Sequence, residues 1–98
     1  MVEPSGFIAV RQAVIAALSS GKYLSEERED IDEKNLLAVG EVTAETLVAA
    51  LKRCSGRDHA CSAHHRLVNV RVHVIRAGGW YIKFYFLEPD TWFISVHP

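Results

Sequence analysis

The stretch RLVNVRVHVIRAGGWYIKFYFLEPDTWFISVHP, residues 66–98, decides the fold. From Leu67 the apolar residues fall at every second position. Val68, Val70, Val72 and Val74 alternate with Asn69, Arg71 and His73, the period of a strand with one buried face. Ala77-Gly78-Gly79 supplies the permissive backbone of a hairpin turn. Trp80, Ile82, Phe84 and Phe86 then alternate with Tyr81, Lys83 and Tyr85. Glu88-Pro89-Asp90 makes a second turn, after which Trp92, Ile94 and Val96 alternate with Thr91, Phe93, Ser95 and His97. Strands joined by such short turns pair as antiparallel neighbours. The alternation predicts a three-stranded meander with an apolar face of Val, Trp, Ile and Phe and an opposite face rich in Arg, His, Lys and Tyr.

That apolar face is too large to leave in water and needs a covering layer. Upstream, Phe7, Val10, Val14 and Leu18 recur at helical spacing after Pro4-Ser5-Gly6, and Ser19-Ser20-Gly21 closes a helix near residue 19. Thr43 suits the N-cap of a second helix through Ala44, Leu47, Val48 and Leu51, with Lys52 and Arg53 at its C-terminal end. Residues 22–34 are polar and acid-rich, a solvated loop or short helix, and residues 57–65 are a polar connection without periodicity. The expectation is one α+β domain over residues 1–98, a two-layer fold in which an antiparallel sheet with its C-terminal meander packs on two helices.

The chain has 98 residues, 49% of them hydrophobic, and a net charge of −1, a composition that folds rather than one that stays disordered. No apolar run reaches the roughly 20 residues of a membrane helix. Met1-Val2-Glu3-Pro4 lacks the basic and apolar segments of a secretion signal, so the cytoplasm is the expected location. Charge is unevenly placed. Residues 1–50 carry four basic and nine acidic side chains, whereas residues 51–98 carry seven basic, three acidic and all five histidines. Such a split suits an anionic ligand on one side, and equally an ordinary solvated surface. Cys54, His59, Cys61, His64 and His65 have the residue types of a zinc site but not the paired spacing, so no metal or other cofactor is expected.

The polar meander face brings together Asn69, Arg71, His73, Tyr81, Lys83, Tyr85, Phe93, Ser95 and His97. Arg and Lys can hold phosphates, and Tyr and Phe can stack on unpaired bases, as in single-stranded RNA recognition. His, Tyr and Lys can also serve as acid and base in phosphodiester cleavage, with no metal required. A half-exposed sheet carries the same residue types simply because they tolerate both water and the pleat.

The hairpin Trp80-Tyr81-Ile82-Lys83-Phe84-Tyr85-Phe86-Leu87 and Trp92-Phe93-Ile94-Ser95-Val96-His97 resembles the C-terminal end of the MqsR (motility quorum-sensing regulator) toxins. Those proteins end in Val-Tyr-Leu-Lys-Leu-Thr-Val and Leu-Ile-Val-Ser-Phe-Lys. Lys52 followed by Asp58-His59 is also similar to that family. The resemblance covers about a quarter of the chain. It implies a RelE-like fold and a cofactor-free mRNA endonuclease, the toxin of a toxin-antitoxin pair, held by a cognate antitoxin protein. It places catalytic residues on Lys52, Tyr81 and the basic residue of the last strand. At that last position this chain has His97 where the family has Lys, an imidazole that moves protons near neutral pH but is only partly charged there. Asn69 is the nearest amide to the glutamine that the family carries ahead of the first meander strand.

Residues and resemblance together give Tyr81, His97, Lys52, Lys83 and His73 as candidate catalytic groups. Arg71, Tyr85, Arg53, Asn69 and Phe93 are the candidate RNA contacts. The alternative is a module that binds nucleic acid or protein on the same face without turnover.

Overall fold

The computed structural model describes residues 3–27 and 31–98, and of residues 31 and 32 the backbone alone. Met1 and Val2, and the middle of the acid-rich segment at Arg28, Glu29 and Asp30, lie outside the described residues. In chain order the elements are α1 (Phe7–Ser20), β1 (Tyr23–Ser25), α2 (Ile31–Lys34), α3 (Ala44–Leu51), a 3-10 turn (Gly56–Asp58), β2 (His59–Ala63), β3 (Arg71–Ala77), β4 (Trp80–Leu87) and β5 (Asp90–His97). One five-stranded sheet runs in the order β1-β5-β4-β3-β2. The meander β3-β4-β5 is antiparallel as expected, and β2 extends it antiparallel to β3. β1 pairs parallel with β5, so the sheet is mixed.

The α1 helix buries Val10, Val14, Ala17 and Leu18, one stripe at helical spacing, and ends on Gly21 at φ 74°, the left-handed cap that glycine adopts without cost. The α3 helix starts where the Thr43 side chain accepts the Thr46 backbone N–H at 3.2 Å, and it buries Leu47, Ala50 and Leu51. Both stripes meet Ile75, Ala77, Ile82, Phe84, Phe93 and Val96 of the sheet in one cluster. Each large side chain fully buried there contributes about 1.5–3 kcal/mol, so this two-layer α+β core holds the fold.

Two strands were not anticipated. His59–Ala63 shows no apolar period because it is an edge strand exposed on both sides from Ala60 onward, with no buried face to impose one. Tyr23–Ser25 is a three-residue strand docked by backbone pairing and by Tyr23 edge-on against Phe93 at 5.4 Å.

The sheet's phase also differs from the simple alternation. The first meander strand begins at Arg71, and Val68 is 86% exposed in the loop before it. Asn69, at φ 64°, turns the chain there, a conformation asparagine tolerates better than most residues. Within β3, Ile75 pairs with Ile82, and residues opposite each other share a face. His73, Ile75 and Ala77 therefore point to the helices, while Val72, Val74 and Arg76 take the open face. Val74 and Ile75 are both apolar, so the alternation fits either phase and packing chooses. In β5, Lys83 pairs with Ser95 but Phe84 with Phe93, which leaves Ile94 as the extra residue of a bulge. Phe93 is thereby turned into the core, and Trp92 and Ile94 join Val72 and Tyr85 in a second cluster on the open face. No helix among the described residues is long and apolar enough to cross a membrane.

Candidate functional site on the open sheet face

At one end of the open face a cross-strand row runs Arg76, Tyr81, His97 through β3, β4 and β5. The Tyr81 and His97 rings stack with centroids 4.9 Å apart and planes at 19°. The Arg76 guanidinium lies 5.0 Å from the Tyr81 ring centre, a cation over a π-face. His97 Nδ1 is 3.0 Å from the backbone oxygen of Pro98, which can only accept, so Nδ1 carries the hydrogen. In the neutral ring Nε2 is then the basic nitrogen. The next row is Val74, Lys83, Ser95. Lys83, two positions beyond Tyr81 on the same strand, sits about 7 Å further along the face.

Beyond Lys83 the face changes character. Tyr85, expected as a stacking platform, is only 5% exposed. Its hydroxyl donates to Glu26 Oε2 at 2.9 Å, and its ring lies parallel to Trp92 at 6.2 Å and edge-on to His64 at 4.9 Å. Burial, then the bond to Glu26, pushes the phenol pKa up to about 12. It stays protonated and holds the carboxylate in place. The other oxygen of Glu26 is 4.0 Å from Nη2 of the largely exposed Arg66. His64 is buried, and its Nδ1 accepts the backbone N–H groups of Arg66 and Leu67 at 3.0 Å each. That fixes the shape of the 64–67 loop and leaves no basic nitrogen for chemistry. Between this loop, Glu26-Glu27 and the sheet lies a cavity of about 450 Å³, floored by Val72 and Ile94 and bordered by Lys83, His65 and Arg66.

Several expected residues lie elsewhere. Phe93 is wholly buried and contacts no ligand surface. Asn69 is in the loop before β3, off the sheet. Lys52 and Arg53 follow α3, exposed on the helix layer. Arg71 and His73 share the helix-side phase of β3. Arg71 opens that strand and donates through Nε to Cys61 Sγ at 3.2 Å. His73 is 2% exposed, stacked between His59 at 5.2 Å and Phe84 at 5.6 Å, with its Nδ1 3.0 Å from His59 Nε2. Burial, with His59 and Arg71 nearby, depresses its pKa to about 4, so it is a neutral packing residue. Of the catalytic candidates, Tyr81, Lys83 and His97 come together; Lys52 and His73 do not.

Cys54 is a buried free thiol that donates to the Leu51 carbonyl, and burial raises its pKa. Cys61 is free and exposed. Among the described residues no group of three or more His, Cys, Asp or Glu is placed to hold a metal ion.

Two members of the site were missed. Arg76 was legible, because the two-residue turn at Gly78-Gly79 pairs Ala77 with Trp80 and hence Arg76 with Tyr81. Glu26 was not, since only the parallel docking of β1 beside β5 brings it to this face. Comparison with protein-family models, with curated proteins and with solved structures gives no match.

Proposed function

We propose that the open sheet face binds single-stranded RNA and cleaves it, making the protein a metal-independent mRNA endonuclease. The observation that carries this reading is the stack of Arg76, Tyr81 and His97 on an uncovered face, with Lys83 beside it. His97 Nε2 takes the proton of a 2′-hydroxyl, whose oxygen attacks the adjacent phosphorus. Arg76 and Lys83 stabilise the charge that builds on the phosphorane oxygens. The Tyr81 hydroxyl, or the imidazolium once formed, supplies a proton to the departing 5′-oxygen. The products are a 2′,3′-cyclic phosphate and a 5′-hydroxyl.

The MqsR-like hairpin, the helices on one sheet face and the cationic-aromatic row on the other are in keeping with a RelE-like toxin acting on cytoplasmic mRNA. A cognate antitoxin protein that covers this row is then the natural partner. The test is incubation of purified protein with single-stranded RNA in EDTA at pH 6–8. Cleavage that disappears in folded Tyr81→Phe and His97→Ala variants is expected. RNA that stays intact overturns the reading and leaves a face that binds without turnover.

A further inference from the structure

The β2 strand is one edge of the sheet, and it has none of the features that usually protect an edge. It runs for five residues, His59–Ala63, is exposed from Ala60 onward, and has no proline, lysine or bulge. The opposite edge, β1, is only three residues long. We infer that β2 is a self-association strand, which pairs antiparallel with β2 of a second copy of this chain across a two-fold axis at Ser62 and joins two sheets into one.

The backbone gives the register. Hydrogen-bonded residues alternate along an antiparallel ladder. The His64 N–H donates to the Val70 carbonyl at 2.9 Å, and Ser62 and Ala60 follow in the same phase, opposite Val72 and Val74 of β3. The backbone N–H and C=O groups of Cys61 and Ala63 therefore point away from β3, and they find no hydrogen-bond partner among the described residues. His59 shares their phase, but its N–H already donates to the Gly56 carbonyl. Cys61 and Ala63 are thus the residues that offer both a donor and an acceptor along this edge. An antiparallel copy centred on Ser62 sets Cys61 of each chain opposite Ala63 of the other, and every one of these groups is satisfied. Centring on Cys61 instead sets Ala63 against His59, whose N–H is taken, and leaves the Ala63 carbonyl unpaired.

Side chains and charge agree with this pairing. Ala60, Cys61, Ser62 and Ala63 are too small to hold a second backbone at a distance. No Lys, Arg, Asp or Glu lies between His59 and His65, so like charges do not meet at the centre. At the ends the register carries Asp58 of one copy toward Arg66 of the other, opposite charges on both sides of the axis, with Arg57 beside Leu67. That match favours a second copy over an unrelated extended peptide. Residues opposite each other share a face, so both open faces lie on one side of the joined sheet and both helix layers on the other. None of Arg76, Tyr81, Lys83 or His97 takes part, and the pairing stands apart from RNA cleavage.

A strand of five residues covers far less than the roughly 1,600 Å² of a standard interface, so a reversible dimer forming at about 10–300 µM is expected. Sedimentation velocity of the full chain under reducing conditions reads it. Ser62→Lys sets like charges opposite each other and should weaken the dimer about five-fold or more. Cys61→Pro removes an outward N–H, leaves the β3 ladder intact and should act in the same direction, since an edge tolerates proline. Circular dichroism checks that both variants are folded; if Cys61→Pro is not, Ser62→Lys carries the test. Ser62→Cys reads the register. Its facing Cα atoms are about 4.5 Å apart, inside the roughly 4.4–6.8 Å that a disulfide spans. Mild oxidation should therefore give a covalent dimer of Ser62→Cys faster than of wild type, whose Cys61 faces Ala63.

A chain that stays monomeric across that range overturns the inference, as does a dimer that Ser62→Lys leaves unchanged. Disulfide capture of wild type as fast as of Ser62→Cys moves the axis to Cys61 and overturns the register. Binding of an extended peptide by a chain that never self-associates assigns the edge to another protein and overturns the inference as well. A concentration-dependent dimer that is lost in Ser62→Lys supports it, whether or not RNA is cleaved.

Discussion

His73 illustrates how one residue type can take opposite roles in one sheet. His97 lies on the open face against Tyr81, whereas His73 is enclosed by His59, Phe84 and Phe86 with its Nε2 buried and lacking a hydrogen-bond partner among the described residues. Its depressed pKa has a consequence for stability. The folded state holds His73 neutral down to about pH 4, while the unfolded chain protonates it near its usual 6.5. Between those values the unfolded state binds more protons, so stability is full above about pH 6.5, falls as the pH drops, and has lost this contribution below about 4. The loss amounts to up to about 3 kcal/mol. His59, whose pKa burial also lowers, acts in the same direction. Denaturant unfolding at pH 7 and pH 4.5 should show the drop, and His73→Phe should shrink it. A second residue-scale test concerns Asn35, which is fully buried, donates to the Phe93 carbonyl at 3.2 Å and accepts from the Ala38 N–H at 3.1 Å. Asn35→Ala leaves both backbone groups without that partner and should cost about 2–4 kcal/mol in the same unfolding assay.

At the scale of elements, the period of two was legible wherever both phases of a strand differ in polarity. The β4 strand is the example. Trp80, Ile82, Phe84 and Phe86 face the helices and Tyr81 and Lys83 face out, as the alternation demands. The β3 phase was not legible, because Val72, Val74 and Ile75 offer an apolar residue to either side. The β5 phase was lost at Ile94, since a bulge leaves no signature in a run as uniformly apolar as Trp92-Phe93-Ile94. Those two shifts moved His73, Arg71 and Phe93 off the site and brought Arg76 onto it. The β3–β4 turn that fixes this arrangement depends on Gly78. Its φ is +57°, and a Cβ there would come within 2.9 Å of the Ala50 Cβ in α3. Gly78→Ala therefore combines backbone strain with a clash against the helix layer and should destabilise the fold by about 1–3 kcal/mol, read as a lowered midpoint of thermal unfolding. Gly79→Ala keeps the strain but meets nothing within 4 Å, and should cost less.

At the scale of the molecule, the fold places helices, core and the buried His73 with its half-buried neighbour His59 on one side of a sheet and leaves Arg76, Tyr81, Lys83 and His97 on the other. Of the seven basic residues in 51–98, Arg76 and Lys83 belong to the strand rows of that face, whereas Lys52, Arg53 and Arg71 lie elsewhere; if the face binds RNA as proposed, those two charges contribute to the attraction and salt should weaken it. Binding of uncleavable single-stranded RNA is expected to lose affinity steadily as salt rises from 50 to 200 mM, with a shallower slope in Arg76→Ala and Lys83→Ala. Whether the face is a catalyst rests on the stacked row. The most direct measurement is mass spectrometry of the RNA ends after incubation with wild type and His97→Ala in EDTA. New 2′,3′-cyclic phosphate and 5′-hydroxyl ends with wild type alone are the predicted result; intact RNA, or identical cleavage by both proteins, would contradict it.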